Sequence, residues 1–313
     1  MSAARAAEVE VAVERRMLKL TNLEKVLYQG AGFTKAQLID YYTRIWPVLS
    51  AHLRNRPLTL KRYPNGVDSE FFYEKNCPRH RPGWVKTAPI WSEGNQRVMD
   101  YCMVQDLPTM VWLANLATLE LHTSLSLAKD PAKPTALVFD LDPGPPATIV
   151  ECCRVGLWLR DLFAAHHLRS FAKTSGSKGL QLYVPLNTQV SYERTKSVSH
   201  ELAAQLEREH PEHIVSRQLK SLREGKVLID WSQNDPHKTT VSVYSLRARP
   251  RPTVSTPVSW DEVEDALARA DPELLVFDWE EVLERVGRLG DLFAAVAKLR
   301  QRLPAGLAPG GRP

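Results

Sequence analysis

An α+β fold, with mixed or antiparallel β-sheets flanked by helices, is what this 313-residue sequence predicts. Three observations carry the prediction. Apolar residues recur at helical spacing in some stretches and alternate in others, so both element types are present. The stretches follow one another without strict strand–helix alternation, which argues against a doubly wound parallel sheet. No run of about eighteen apolar residues occurs, and no repeat of roughly 20–50 residues is visible. Membrane helices, solenoids and propellers drop out.

Residues 1–17 carry Glu8, Glu10 and Glu14 and lack an apolar core with a cleavage site. They read as a flexible arm and not as a signal peptide, so a cytoplasmic protein is expected. One folded unit is expected over 18–303. Thr34 to Leu53 reads as a helix: Thr34 and Gln37 form a capping box, and Leu38, Ile39, Tyr42, Ile45, Trp46 and Leu49 recur on one face. "RPLTLKRYP" (56–64) alternates like a strand between prolines. Asp106 and Pro108 open a second helix, "LPTMVWLANLATLELH". "TALVFDLD" is a strand stopped by "PGPP" (143–146), and a helix runs from Thr148 to His167. A strand at Ser170–Lys173, the turn "TSGSKG" (174–179), the strand "LQLYVPL" (180–186) and a helix over Tyr192 to Glu209 follow. "KVLIDWS" (226–232) and "TTVSVYSL" (239–246) are two more strands. Ser259-x-x-Glu262 opens C-terminal helices running to about Leu303, and the Pro/Gly-rich tail 304–313 is expected to be disordered.

Four cysteines suit a reducing compartment, with Cys152 and Cys153 as small core residues. Cys77 and His80 make a C-x-x-H, but no second pair follows at a zinc-site spacing. The net charge of +5 is unevenly spread. Between Ile214 and Arg251 eight basic residues stand against three acidic ones, a net +5 equal to the excess of the whole chain. Asp261 to Glu284 is acidic instead. Positive charge gathered into one stretch suggests a polyanion-binding face.

The chemistry centres on "VFDLD". On a strand, residues i and i+2 share a face, so Asp140 and Asp142 point together while Leu137, Phe139 and Leu141 anchor the other face. Paired carboxylates repel unless a hard cation such as Mg²⁺ or Mn²⁺ sits between them. Asp230 ends a second apolar strand and offers a third carboxylate, as a two-metal phosphoryl-transfer site needs. Gly176 and Gly179 around Ser177 and Lys178 make a tight turn suited to cradling phosphate. It lacks the Walker A spacing, and a strand follows where a helix should start.

Three carboxylates, a phosphate turn and a basic face point together to nucleoside triphosphate chemistry on a nucleic acid. The chain resembles the polymerase domain of bacterial ligase D, a member of the archaeo-eukaryotic primase superfamily. The resemblance rests on "LTNLEKVLY", "KRYPNGVDSEFFYEK", "LELH", "LVFDLDPG", "TSGSKGL", "KSLREGKVLIDWSQN" and "KTTVSVYSLRAR", in that order. It implies a primase-polymerase catalytic core over 18–303, with Asp140, Asp142 and Asp230 as catalytic metal-binding carboxylates for Mn²⁺ or Mg²⁺. It implies that Lys61, His122, Ser175, Lys178, Arg247, Arg249, Lys238 and Gln233 hold the incoming NTP or dNTP. Phe72 and Tyr73 would stack near the templating base, and Lys25 and Lys35 would grip a 5′-phosphate at a gap or break. Lys220, Arg223 and Lys226 would lie along DNA. Gln181 stands where the family usually has a histidine on the triphosphate, and so gives a neutral hydrogen bond there.

The activity implied is template-directed addition of ribo- or deoxynucleotides to a DNA 3′ end, in gap filling and end joining. A Ku-like protein and a separate ATP-dependent ligase would be partners on nucleoid DNA, with no membrane involved. A primase starting chains de novo and an end-binding module that recruits a ligase are the alternatives. The three carboxylates weigh against a pure binder, and the nucleotide-binding set weighs against a metal nuclease.

Overall fold

The computed structural model describes residues 8–304 and 306–307. Two six-stranded sheets, each backed by helices, account for its two hydrophobic cores. The first sheet runs in the order Thr240–Val241, Thr118–Thr123, Leu58–Arg62, Arg97–Cys102, Thr87–Ser92, with Phe72–Glu74 also paired to Leu58–Arg62. The second runs Ile214–Val215, Val227–Asp230, Ala136–Pro143, Leu180–Pro185, Phe171–Thr174, Pro257–Val258. All pairs are antiparallel except Ile214–Val215 with Val227–Asp230.

The expected helix after Thr34 spans Lys35–Leu53 and carries the Thr34/Gln37 capping box. Its Leu38, Tyr41, Tyr42, Ile45, Leu49 and Leu53 are fully buried in the first core. Helices Ile149–Ala165, Tyr192–Glu209 and Trp260–Arg269 bury apolar faces in the second core, the last behind the Ser259/Glu262 box. In the strand Ala136–Pro143, Leu137, Phe139 and Leu141 point into that core. Val138 and Tyr183 belong instead to the first core, so the opposite face of this sheet looks toward the first sheet. Period-two alternation therefore delivers Asp140 to the cleft between the sheets.

Several expectations are corrected. Residues 8–17 are not a loose arm: Glu8–Val13 pairs antiparallel with Arg16–Thr21, because Val9, Val11 and Val13 alternate with Glu8, Glu10 and Ala12 as a strand does. Residues 1–7 lie outside the described residues. The helix after Asp106 stops at Asn115, and Ala117 at φ 56° turns the chain into the strand Thr118–Thr123. Of 239–246 only Thr240–Val241 is strand, since Tyr244 at φ 61° breaks the extended run. The last helix ends at Lys298. Leu307 of the supposed tail is buried in the second core, and 305 and 308–313 lie outside the described residues. Cys77 and Cys102 form a disulfide with Cα atoms 4.9 Å apart, so Cys77 is no C-x-x-H ligand, and His80 packs on Trp112. The four cysteines thus do not behave as a uniformly reduced set. Among the described residues, no helix is long and apolar enough to cross a membrane.

Candidate active site

Strand register assembles the site. Asp230 lies opposite Asp140, Asp140 opposite Gln181, and Gln181 opposite Lys173, so four polar side chains form one row across the second sheet. Asp142 stands two residues along, at the cleft mouth. Burial first, then the Asp142 charge, pushes the Asp140 carboxyl up to about 7, with Gln181 opposing and Asp230 adding to the rise. Desolvation in the cleft and the charge of Asp230 raise Asp142 as well, against the pull of Arg223 and Arg247.

These two carboxylates fit a divalent cation. Asp140 Oδ1 is buried and has no hydrogen-bond partner among the described residues. An orphaned carboxylate oxygen beside a like charge is costly until a cation joins it. Asp230 differs. Its Oδ1 accepts from Gln218 Nε2 at 2.9 Å, Ser232 N at 3.0 Å and Ser232 Oγ at 2.5 Å, and its Oδ2 accepts from Gln233 Nε2 at 2.9 Å. Among the described residues no group of three His, Cys, Asp or Glu side chains forms a metal cage. Gln233, expected on the nucleotide, here holds Asp230, and Lys238 Nζ donates to the same Ser232 hydroxyl.

The facing sheet supplies cations around one buried anion. Glu120 is 2 % exposed. It meets His122 Nε2 at 2.9 Å, Lys61 Nζ at 3.6 Å and Arg247 Nε at 3.5 Å, and it accepts from Ala248 N at 3.0 Å. Burial alone would raise its carboxyl, but the His122 hydrogen bond, the Arg247 charge and the other partners hold it down at about 2. Burial also lowers the His122 imidazole, against the pull of Glu120. Glu120 was missed in the sequence because it lay inside a supposed helix. Read as a strand, "TLELHT" puts Glu120 and His122 on one face.

Arg247 joins the sheets, since its Nη1 donates to Ser175 O at 2.5 Å. The turn after Thr174 is drawn tight by its own residues. Ser175 Oγ accepts from Ser177 N at 3.2 Å and Gly179 N at 3.1 Å, so these two amides are engaged internally and do not stand open. Lys178 at the turn tip and Arg249 are exposed.

The expected aromatic pair is split. Adjacent strand residues point to opposite faces, so Phe72 lies over Arg62 at 5.1 Å while Tyr73 lies 6.0 Å from both His122 and Phe71. Lys61 Nζ sits 4.2 Å from the Phe71 ring, 5.2 Å from Tyr63 and 5.6 Å from Tyr73. Phe71 therefore belongs with Tyr73. Gln181 is also reassigned: at 3 % exposed, it lies between Lys173 and Asp140 and does not face open cleft.

The DNA-binding candidates divide into groups. Lys25 Nζ is exposed and donates to Asn65 Oδ1 at 2.7 Å. Among the described residues, Lys35 Nζ is bonded only to neutral oxygens, Thr21 O at 2.5 Å and Thr21 Oγ1 at 3.3 Å, and its amide donates to Lys25 O. Burial and the Lys25 and Arg62 charges lower its ammonium to about 8. This corner is a cationic site without a carboxylate among these partners. Lys220 is exposed, and Arg223 Nη2 donates to Gln218 O at 2.7 Å beside the Asp230 network. Lys226 turns away, donating to Pro211 O at 2.6 Å.

The family described as "LigD, primase-polymerase domain" matches residues 34–293. The multifunctional non-homologous end joining protein LigD of Mycolicibacterium smegmatis is 41% identical over 281 residues, 88% of this chain and 36% of that protein. The bifunctional non-homologous end joining protein LigD of Bacillus subtilis is 30% identical over 274 residues, 87% of this chain and 43% of that protein. The chain thus spans less than half the length of either relative. Among solved structures, the polymerase domain of Mycobacterium tuberculosis ligase D in complex with DNA matches with a TM-score of 0.84 and 38% identity, covering 92% of this chain and 100% of that one.

Proposed function

The chain belongs to the LigD primase-polymerase domain family, and on that premise we propose that it adds ribo- or deoxynucleotides to a DNA 3′ end in gap filling and end joining. The observation that supports this most is the cleft, where Asp140 Oδ1, buried and without a hydrogen-bond partner among the described residues, and Asp142 lie on one sheet, and Lys61, His122 and Arg247 gather around Glu120 of the facing sheet. Asp140 and Asp142 would hold Mn²⁺ or Mg²⁺, with Asp230 at their side. When bound, such ions stabilise charge on the attacking and leaving oxygens of phosphoryl transfer. The cations around Glu120 meet the triphosphate, with exposed Lys178 and Arg249 at the rim. Phe71 and Tyr73 offer rings for base stacking beside Lys61, and Phe72 one on the other face. Lys25 and Lys35 take the 5′-phosphate, as lysines do for a point anion, while Lys220 and Arg223 follow the DNA backbone. Double-strand breaks on nucleoid DNA would be the setting, with a Ku-like protein and an ATP-dependent ligase as partners.

The test is extension of a primer across a gapped duplex with ATP or dATP, with and without the 5′-phosphate. Asp142→Ala abolishes addition and leaves DNA affinity within about twofold, because that carboxylate serves cations and not the duplex. Lys25→Ala removes the preference for phosphorylated gaps while sparing simple primer-templates. Full activity of Asp142→Ala with Mn²⁺ present sinks the reading.

A further inference from the structure

Lys173 is fully buried, yet the site as described gives it no task. Its Nζ donates to Gln181 Oε1 at 2.6 Å and to Ser255 Oγ at 2.6 Å. Ser255 Oγ in turn donates to Thr174 O at 2.8 Å, so that hydroxyl receives from the lysine. Among the described residues no carboxylate forms an ion pair with Lys173. A lysine can only donate, so the Gln181 carbonyl oxygen must face it. The Gln181 NH₂ is thereby turned the other way along the row, toward Asp140, its cross-strand partner. Asp140 Oδ1 itself is buried and without a hydrogen-bond partner among the described residues.

We propose that Lys173 is a positioning residue: acting through Gln181, it fixes the Asp140 carboxylate so that Oδ1 presents to a bound divalent cation. This rests on the reading of Asp140 and Asp142 as metal carboxylates. Ordering runs in one direction, from lysine donor to amide to carboxylate, since the amide accepts from Lys173 through its oxygen and presents its NH₂ donors toward Asp140. Partners that orient metal ligands are commonly worth ten- to hundredfold in metal affinity.

The experiment is a Mn²⁺ titration of the intact protein, with free Mn²⁺ followed by electron paramagnetic resonance and folding checked by circular dichroism. Lys173→Met and Gln181→Leu each weaken Mn²⁺ binding about tenfold, and the double variant is no weaker than either single one, since both break one chain. Additive losses, unchanged binding, or tighter binding in Lys173→Met overturn the inference; the last means that Lys173 acts as a distant positive charge alone. If Lys173→Met does not fold, Ser255→Ala decides. It removes one anchor of the ammonium and weakens Mn²⁺ binding by a smaller factor, about two- to threefold, and unchanged affinity overturns the inference. A wild-type protein that binds no Mn²⁺ overturns the metal reading itself, a separate result.

Discussion

Glu120 makes the residue-scale case for reading a site by its counter-charges. Lys61 and Arg247, brought close beside His122, repel one another, and a buried carboxylate at their centre offsets that repulsion. Its folded pKa, about 2, is below the ordinary 4.5. A depressed carboxylate contributes stability that is present above the unfolded value and is lost as pH falls through the folded one. The shift corresponds to about 3 kcal/mol. Glu120→Gln should therefore be destabilised by an amount of that order in urea unfolding at pH 7. The gap to wild type should close as pH falls from 4.5 toward 2. A gap constant across that range would mean that Glu120 acts by packing and not by charge.

At the scale of elements, the turn 174–179 shows why its glycines matter. A Cβ on Gly179 would stand 2.2 Å from Leu141 O, one residue from Asp142. At Gly176, φ +67° adds backbone strain to a Cβ 2.6 Å from Val254 C. Gly179→Ala must push the turn off the Asp142 strand, at a cost of about 1–3 kcal/mol. It should also weaken nucleotide binding, while Gly83→Ala, with open space around its Cβ position, should change neither. Thermal melts and a nucleotide titration of both variants check this. The same scale holds the chief misreading of the sequence. "LATLELH" continues a helical pattern by apolar content, but Ala117 leaves the helical region and the alternation of Leu119 and Leu121 with Glu120 and His122 wins. The N-terminal hairpin likewise follows from its alternating valines, with Glu8 and Glu10 on the other face.

At the scale of the whole molecule, two sheets with separate cores must keep a fixed spacing for the cleft to work. Arg247, ion-paired with Glu120 of one sheet and hydrogen-bonded to Ser175 O in the turn beside the other, is one tie, and Tyr183 Oη donating to Thr240 Oγ1 at 2.9 Å is another. The Cys77–Cys102 disulfide closes a loop of 25 residues within the first-sheet half and contains the Thr87–Ser92/Arg97–Cys102 hairpin. By chain-entropy reasoning such a closure contributes about 3 kcal/mol. Cys77→Ser, or reduction, should lower urea-unfolding stability by an amount of that order. Equal stability with and without reductant would mean that the loop is already ordered by its packing.

The sequence by itself determined the α+β class, the capped helices after Thr34 and Ser259, and the pairing of Asp140 with Asp142. Each depends on residues near one another in the chain, through the 3.6- and 2-residue periods and local capping chemistry. Motif order was enough to indicate the family. Only the tertiary structure decided what the polar residues face. Whether Gln181 meets a nucleotide or a lysine depends on which strand lies beside it. Whether Asp230 is a free carboxylate or one held by Gln218, Ser232 and Gln233 depends on a loop folding back over it. Register puts Lys173 and Gln181, 8 residues apart, within a hydrogen bond and sets Asp140 opposite Asp230, 90 residues along the chain, and no local pattern encodes that neighbourhood.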